Sequence, residues 1–191
     1  EVGVPTYVMQ YLTTSPTATT PGLGINPNIA GMIVAVYWLL MLVGRLLGGL
    51  LANKISSRAQ ITFVSLLTMI FVGLGMFLPE NIILSMPGID WSTLQVINAD
   101  IPVGVIALIL VGLCTSVMWG AIFNLAVEGL GKYTSIASGL FMVMVCGGGI
   151  LPLVQGAVAD VAGYINSYWV LVAALAYMFW FAVSGSKVKK A

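Results

Sequence analysis

The chain has 191 residues, of which 60% are hydrophobic and 7% charged, with no histidine and a formal net charge of +1. Soluble domains carry roughly a quarter charged residues, so there is too little polar surface here to cover a water-soluble globule. Long apolar runs predict an all-α membrane protein with several helical spans.

The first segment, residues 1–14, is apolar with Tyr7, Gln10 and Tyr11 interspersed. At about 1.5 Å per residue it is too short to cross roughly 30 Å of hydrocarbon, so it reads as the second part of a truncated helix. The chain begins at Glu1 with neither a signal peptide nor an initiator methionine, which suggests a cut through a longer protein. "SPTATTPGLGINPN" is a Pro/Gly/Thr loop. Spans are then expected over 29–53, 61–78, 102–127, 135–158 and 168–185. Pro79 ends the 61–78 run and Pro102 suits a first helical turn. Between them, Glu80 to Asp100 reads as a longer loop with room for a short interfacial helix.

Alternating the spans places Lys54, Arg58, Lys132, Lys187, Lys189 and Lys190 on one side and Glu80, Asp90, Asp100 and Asp160 on the other. The positive-inside rule makes the basic side, with the carboxy terminus, cytoplasmic. The expected setting is the bacterial inner membrane, with lipid as a partner and no nucleic acid. Catalysis and metal binding find no support: there is no histidine, no nucleophile–base pair, and Cys114 and Cys146 lie singly inside apolar runs.

Two short strings echo each other. "GLLANKIS" (Gly49 to Ser56) and "GAVADVAG" (Gly156 to Gly163) both read Gly-x-x-Ala-(Asn/Asp), and Asp160 stands where Asn53 stands in the first copy. They close expected spans of opposite orientation, the pattern of two inverted three-helix repeats found in secondary transporters. Chance similarity of Gly/Ala-rich strings is the competing explanation.

"GRLLGGLLANKISSR" resembles the loop signature of the major facilitator superfamily. Gly49, Lys54 and Arg58 match it, whereas Asn53 replaces its acid, Ser56 a glycine and Ser57 a basic residue. "IFNLAVEGLGKYTSIASG" and "GGGILPLVQGAVADVAG" are similar to the fucose:proton symporter and glucose/galactose transporter family, and "EVGVPTYVMQYL" resembles that family's seventh helix. The resemblance implies a carboxy-terminal six-helix half, with an amino-terminal half as its missing partner. It also implies a hexose substrate, a proton as coupling ion and no organic cofactor.

Several residues stand out against this background. Arg45, inside "WLLMLVGRLLGGLLANK", lies about nine residues, or roughly 13 Å, from Lys54, so it either snorkels to the interface or makes a gating contact. Gating is the reading adopted for Arg45, Gly49, Asn53, Lys54 and Arg58. Glu1 is a sugar hydroxyl acceptor, a proton site or simply an end residue. Gln10 can both donate and accept, toward a hydroxyl or toward neighbouring backbone. Gly112, Ser116, Gly120, Asn124 and Glu128 recur every fourth residue; close helix packing is expected for the glycines and the serine, while Asn124 suits a cavity or an interhelical bond equally. Trp119, away from the interfacial belts, suits a wall against the apolar face of a sugar. The resembled family has an aromatic there but usually Pro-Thr next, where this chain has Gly120 and Ala121.

Gly147, Gly148, Gly149 and Pro152 are expected to kink or flex the 135–158 span, and Gln155 is a weaker cavity candidate. Glu128 and Lys132 suit a local ion pair. The sequence reading is therefore secondary active transport of a hexose by proton symport. A drug-type exporter and a non-transporting membrane scaffold are the alternatives.

Overall fold

The computed structural model describes residues 1–51, 54–90 and 95–186. Asn53, Trp91, Lys187, Lys189 and Lys190 lie outside the described residues. The chain forms α1 (Gly3–Thr13), α2 (Pro27–Leu51), α3 (Ser57–Phe77), a hairpin of β1 (Ile83–Asp90) and β2 (Gln95–Pro102), α4 (Val103–Val127), α5 (Thr134–Met144), α6 (Gly147–Ala162) and α7 (Trp169–Trp180). A π-turn over Phe181–Gly185 extends α7. Among the described residues, five stretches are long and apolar enough to cross a membrane: α2, α3, α4, the α5–α6 unit over Gly131–Ala162, and Asn166–Gly185. With 11 residues, α1 is not among them.

Each boundary has a local cause. Ser56 caps α3, its hydroxyl accepting from Ala59 N. The α3 helix ends at Phe77, ahead of Pro79. Gly129 and Gly131 take positive φ between α4 and α5, and Gly163 takes φ 92° after α6, a conformation that costs a side chain and favours glycine.

At the centre lies α4, buried on several sides and packed on α2 and α3. Its approach to α2 is backbone to backbone. A Cβ added at Gly44 would stand 2.1 Å from Ser116 Oγ and 2.3 Å from Leu113 O, and one at Gly112 2.5 Å from Tyr37 O. Close approach of this kind is how small residues bring membrane helices together, since lipid leaves little hydrophobic drive between them. Gly75 and Gly104 bring α3 against the other end of α4. The α5–α6 unit lies at the edge, and no residue of α5 is buried.

These contacts fix the directions of the spans. The loop around Lys54 and Arg58, the end of α4 and the start of α5 share one end of the bundle, the loop end. The α3–α4 hairpin marks the other, the hairpin end. Arg58 ties the loop end together, its Nε donating to Ser186 Oγ at 2.9 Å and its NH2 group to Ser186 O at 2.7 Å.

Two expectations are corrected. The segment 80–100 is not a loop with an interfacial helix but an antiparallel hairpin, registered from Ile83 opposite Pro102 to Asp90 opposite Gln95 and tied by the Ser85 hydroxyl to Asp100. The expected continuous span over 135–158 is two helices, and α6 runs on to Ala162. At the junction, Val145 N bonds Met142 O, Cys146 N bonds Val143 O, Gly148 N bonds Val145 O and Gly149 N bonds Cys146 O. These are i−3 bonds, a tightened turn in mid-span. Pro152 follows with no N–H to give Gly148 O and a ring that crowds that carbonyl.

Candidate functional site

The polar groups of mid-span come together around the start of α1. Buried Tyr37 donates to Glu1 O at 2.9 Å and lies 3.3 Å from Thr115 Oγ1. Tyr168 donates to Val4 O at 3.1 Å, and Tyr7 on α1 donates to Pro152 O at 2.6 Å. Further along, Tyr11 donates to Glu80 at 2.9 Å and Thr14 pairs with Tyr164 at 3.0 Å. A helix too short to span is thereby held by hydroxyl bonds to four neighbouring parts of the chain. None of these tyrosines stood out as functional in the sequence; Tyr37 sits deep within an apolar run, far from the interfacial belts, whereas Tyr164 and Tyr168 fall at or beside an expected span end and carry no such signal.

Two clefts open beside this cluster. The first, of about 590 Å³, is lined by Glu1, Arg45, Gly49, Gln60, Trp119 and Asn124, with Gly48, Ser116, Val117, Gly120 and Ala121 between them. It exists because α2 and α4 diverge. A Cβ at Gly44 would strike Ser116 and one at Gly48 would still meet Val117 at 2.7 Å, but Gly120, next on the Gly112–Ser116 stripe, has nothing within 4 Å. The every-fourth-residue stripe on α4 therefore changes role along its length. Gly112 and Ser116 pack, while Gly120, also expected to pack, borders the cleft with Asn124. A second cleft of about 420 Å³ lies between α1, α4, the α5–α6 junction and α7, and its lining is chiefly apolar. Glu1 and Trp119 line both clefts.

The first cleft has the chemistry for a polyhydroxylated ring. Glu1 accepts, Arg45 donates, Asn124 and Gln60 do both, and Trp119 offers a flat apolar face. Its two charged residues have opposite signs. The Arg45 guanidinium, among the described residues, bonds only Met41 Sδ at 3.5 Å and is exposed. It is thus uncommitted to any carboxylate in this conformation.

Other singled-out residues fall elsewhere. Gln10 is exposed and borders neither cleft. Lys54 is exposed at the loop end. Gly156 makes room for the Tyr7 hydroxyl, 2.6 Å from where its Cβ would be, whereas its expected counterpart Gly49 has open space, and Asp160 is exposed. Gln155 is fully buried beside the second cleft; its Nε2 donates to Ser167 Oγ at 3.3 Å and its Oε1 has no hydrogen-bond partner among the described residues. Glu128 and Lys132 are both exposed, and the Lys132 ammonium lies 5.2 Å from the Tyr133 ring centroid.

No family model matches the chain. Among curated proteins it is similar to the glucose/galactose transporter of Brucella abortus, 28% identical over 98% of this chain and 39% of that protein. A Helicobacter pylori protein named for the same two sugars is 29% identical over 86% of this chain and 37% of its own length. Among solved structures it is similar to FucP, a major facilitator superfamily transporter in the outward conformation, with TM-score 0.75 and 22% identity over 98% of this chain and 39% of that one. The chain thus spans about two fifths of the length of the relatives it matches. Sequence relatives and fold agree with the resemblance read from the motifs: this is a multi-pass membrane protein with the fold of the carboxy-terminal half of a major facilitator superfamily transporter, similar in sequence to proteins named glucose/galactose transporters.

Proposed function

We propose that this chain forms half of a secondary active transporter for a hexose of the glucose, galactose or fucose class. The observation that carries the reading is the first cleft, which Glu1, Asn124, Arg45, Gln60 and Trp119 line together. Carboxylate, amide and guanidinium groups bond sugar hydroxyls and an indole covers the ring face, so the set suits a sugar better than a lipophilic cation. The names of the relatives point the same way.

The fold type supports alternating access. Half-bundles of such transporters rock about a central site, and polar contacts near the mouth differ between states. Arg45, lining the cleft without a carboxylate partner, is the gating residue in this reading, while Arg58 holds two helix ends together. Proton symport is the coupling that the resemblance implies. Glu1 is the cleft carboxylate this chain supplies, and an amino-terminal half would supply the rest. The basic residues Lys54, Arg58 and Lys132 support a cytoplasmic loop end, and a bacterial inner membrane is the setting in this reading.

The test is uptake of labelled glucose, galactose and fucose into vesicles carrying the full-length protein, with and without an inward proton gradient. Gradient-driven uptake of one hexose, competed by the others, is expected. Uptake indifferent to the gradient would remove the proton and keep the sugar. No uptake by folded protein would overturn the substrate class. The chiefly apolar second cleft favours a drug-type exporter as the second reading, and saturable binding of lipophilic cations without sugar uptake would establish it.

A further inference from the structure

Trp119, which lines both clefts, belongs to an aromatic cluster contributed by two helices. Trp119 and Phe123, one turn apart on α4, stack at 5.6 Å with an interplanar angle of 1°. Phe141 of α5 meets both edge-on, 5.9 Å from Trp119 and 5.3 Å from Phe123, each at 75°. Offset-stacked and edge-to-face pairs are the favoured aromatic geometries, so the indole is oriented from two sides.

The place of Phe141 on its own helix gives this contact its consequence. The half-buried positions of α5 are Thr134, Ala137, Ser138 and Phe141, a single stripe at helical spacing. After Phe141 every residue to Cys146 is exposed, so Phe141 is the last half-buried position of α5. One turn later come the i−3 bonds at Val145 and Cys146 and the glycines Gly147 to Gly149. A Cβ at any of these glycines would meet nothing within 4 Å. Neither side-chain packing nor a regular backbone ladder therefore fixes the angle between α5 and α6. Mid-span 3₁₀ turns of this sort mark hinges.

We propose that Phe141 is a positioning residue for Trp119, and that through it the bend between α5 and α6 sets how the indole divides the two clefts. A change of bend carries Phe141 along α4, removes one edge-on contact and frees the indole to turn. The apolar second cleft then joins the polar first one or is shut off from it. In a sugar transporter the same element that rocks would thereby also reshape the wall facing the sugar. That functional meaning rests on the reading of Trp119 as a sugar wall, but the coupling itself is measured without sugar.

The experiment uses the full-length protein with every tryptophan except Trp119 replaced by phenylalanine, and reads acrylamide quenching of the indole. Phe141→Ala should raise the quenching constant at least twofold, Phe141→Leu should do so in part, and Phe141→Tyr should leave it unchanged. Pro152→Ala, which restores a backbone donor at the bend and keeps the carbonyl that Tyr7 bonds, should alter quenching with Phe141 present and have no further effect beside Phe141→Ala. Additive effects of the two substitutions, or an indole indifferent to Pro152→Ala, would overturn the proposal. If Phe141→Ala does not fold, the same cycle is run with Phe141→Leu and judged by the same criterion. Failure of hexose uptake with this coupling intact would overturn the proposed substrate and leave the coupling standing.

Discussion

The α2–α4 contact makes a quantitative demand on Gly44. An added methyl there would stand 2.3 Å from the Leu113 carbonyl oxygen and 2.1 Å from Ser116 Oγ. Ordinary van der Waals contact begins near 3.4 Å, so the two backbones must separate by about 1 Å, which a close-packed interior resists. Overpacking of this size costs about 1–3 kcal/mol. Alanine also gains up to about 1 kcal/mol of helix propensity over glycine, and that term would blur a single measurement. Gly49→Ala removes the ambiguity, since it gains the same propensity with nothing within 4 Å of the new methyl. The difference between the two variants therefore isolates the packing term. In thermal unfolding of the detergent-solubilised protein, Gly44→Ala should melt below Gly49→Ala by roughly 5 °C, at about 2–4 °C per kcal/mol for a chain of this size. Adding Ser116→Gly to Gly44→Ala should recover part of the loss and no more, because the Leu113 carbonyl remains. Equal midpoints for the two alanine variants would refute the backbone contact and the account of the first cleft as the place where these helices diverge.

Two further outcomes follow from the hydrogen bonds. Arg58→Lys cannot reproduce a donor pair that reaches Ser186 Oγ and Ser186 O together. Hydrogen exchange of the Phe181–Gly185 amides should accelerate about tenfold, in line with a loss of about 1.5 kcal/mol for a charge-assisted bond, and Ser186→Ala should have a smaller effect. Tyr168→Phe removes the bond to Val4 O inside a fully buried site. It should lower stability by about 1–2 kcal/mol, read as an earlier unfolding midpoint, and unchanged stability would show that α1 does not depend on that hydroxyl.

The spanning helices were legible because lipid demands long apolar runs, and some of their ends were legible where proline or glycine stood. Pro79 and Pro102 mark a stop and a start that the structure respects, whereas the end of α6 at Ala162, ahead of Gly163, lies beyond the expected 158. The hairpin was not legible. Most of its described strand positions are exposed, so neither face imposes an apolar–polar alternation, and Pro87 within β1 argues against a strand. The break at Val145–Cys146 was foreshadowed by glycines and proline, but its position came from the hydrogen-bond pattern. Of the candidate wall residues, Glu1, Trp119 and Asn124 meet in one cleft and Gln10 does not. Gln10 could have been phased from the sequence: Val4, Tyr7, Val8, Tyr11 and Leu12 form one buried helical stripe, and Gln10 lies with Thr6 and Thr13 on the opposite face. Gly120 was read with its packing neighbours because a period of four cannot reveal where two helices part company.

The seating of α1 bears on how such a protein can change over evolutionary time. Tyr37 and Tyr168 hold this segment by its carbonyl oxygens at Glu1 and Val4, not by its side chains. Every amino acid presents the same carbonyl, so a substitution at either position leaves the anchor in place. Selection can therefore try new side chains at Glu1, on the border of both clefts, while the segment keeps its seat. On the proposed reading of the first cleft, new ligand preferences are open to this lineage by single steps, without first rebuilding the bundle.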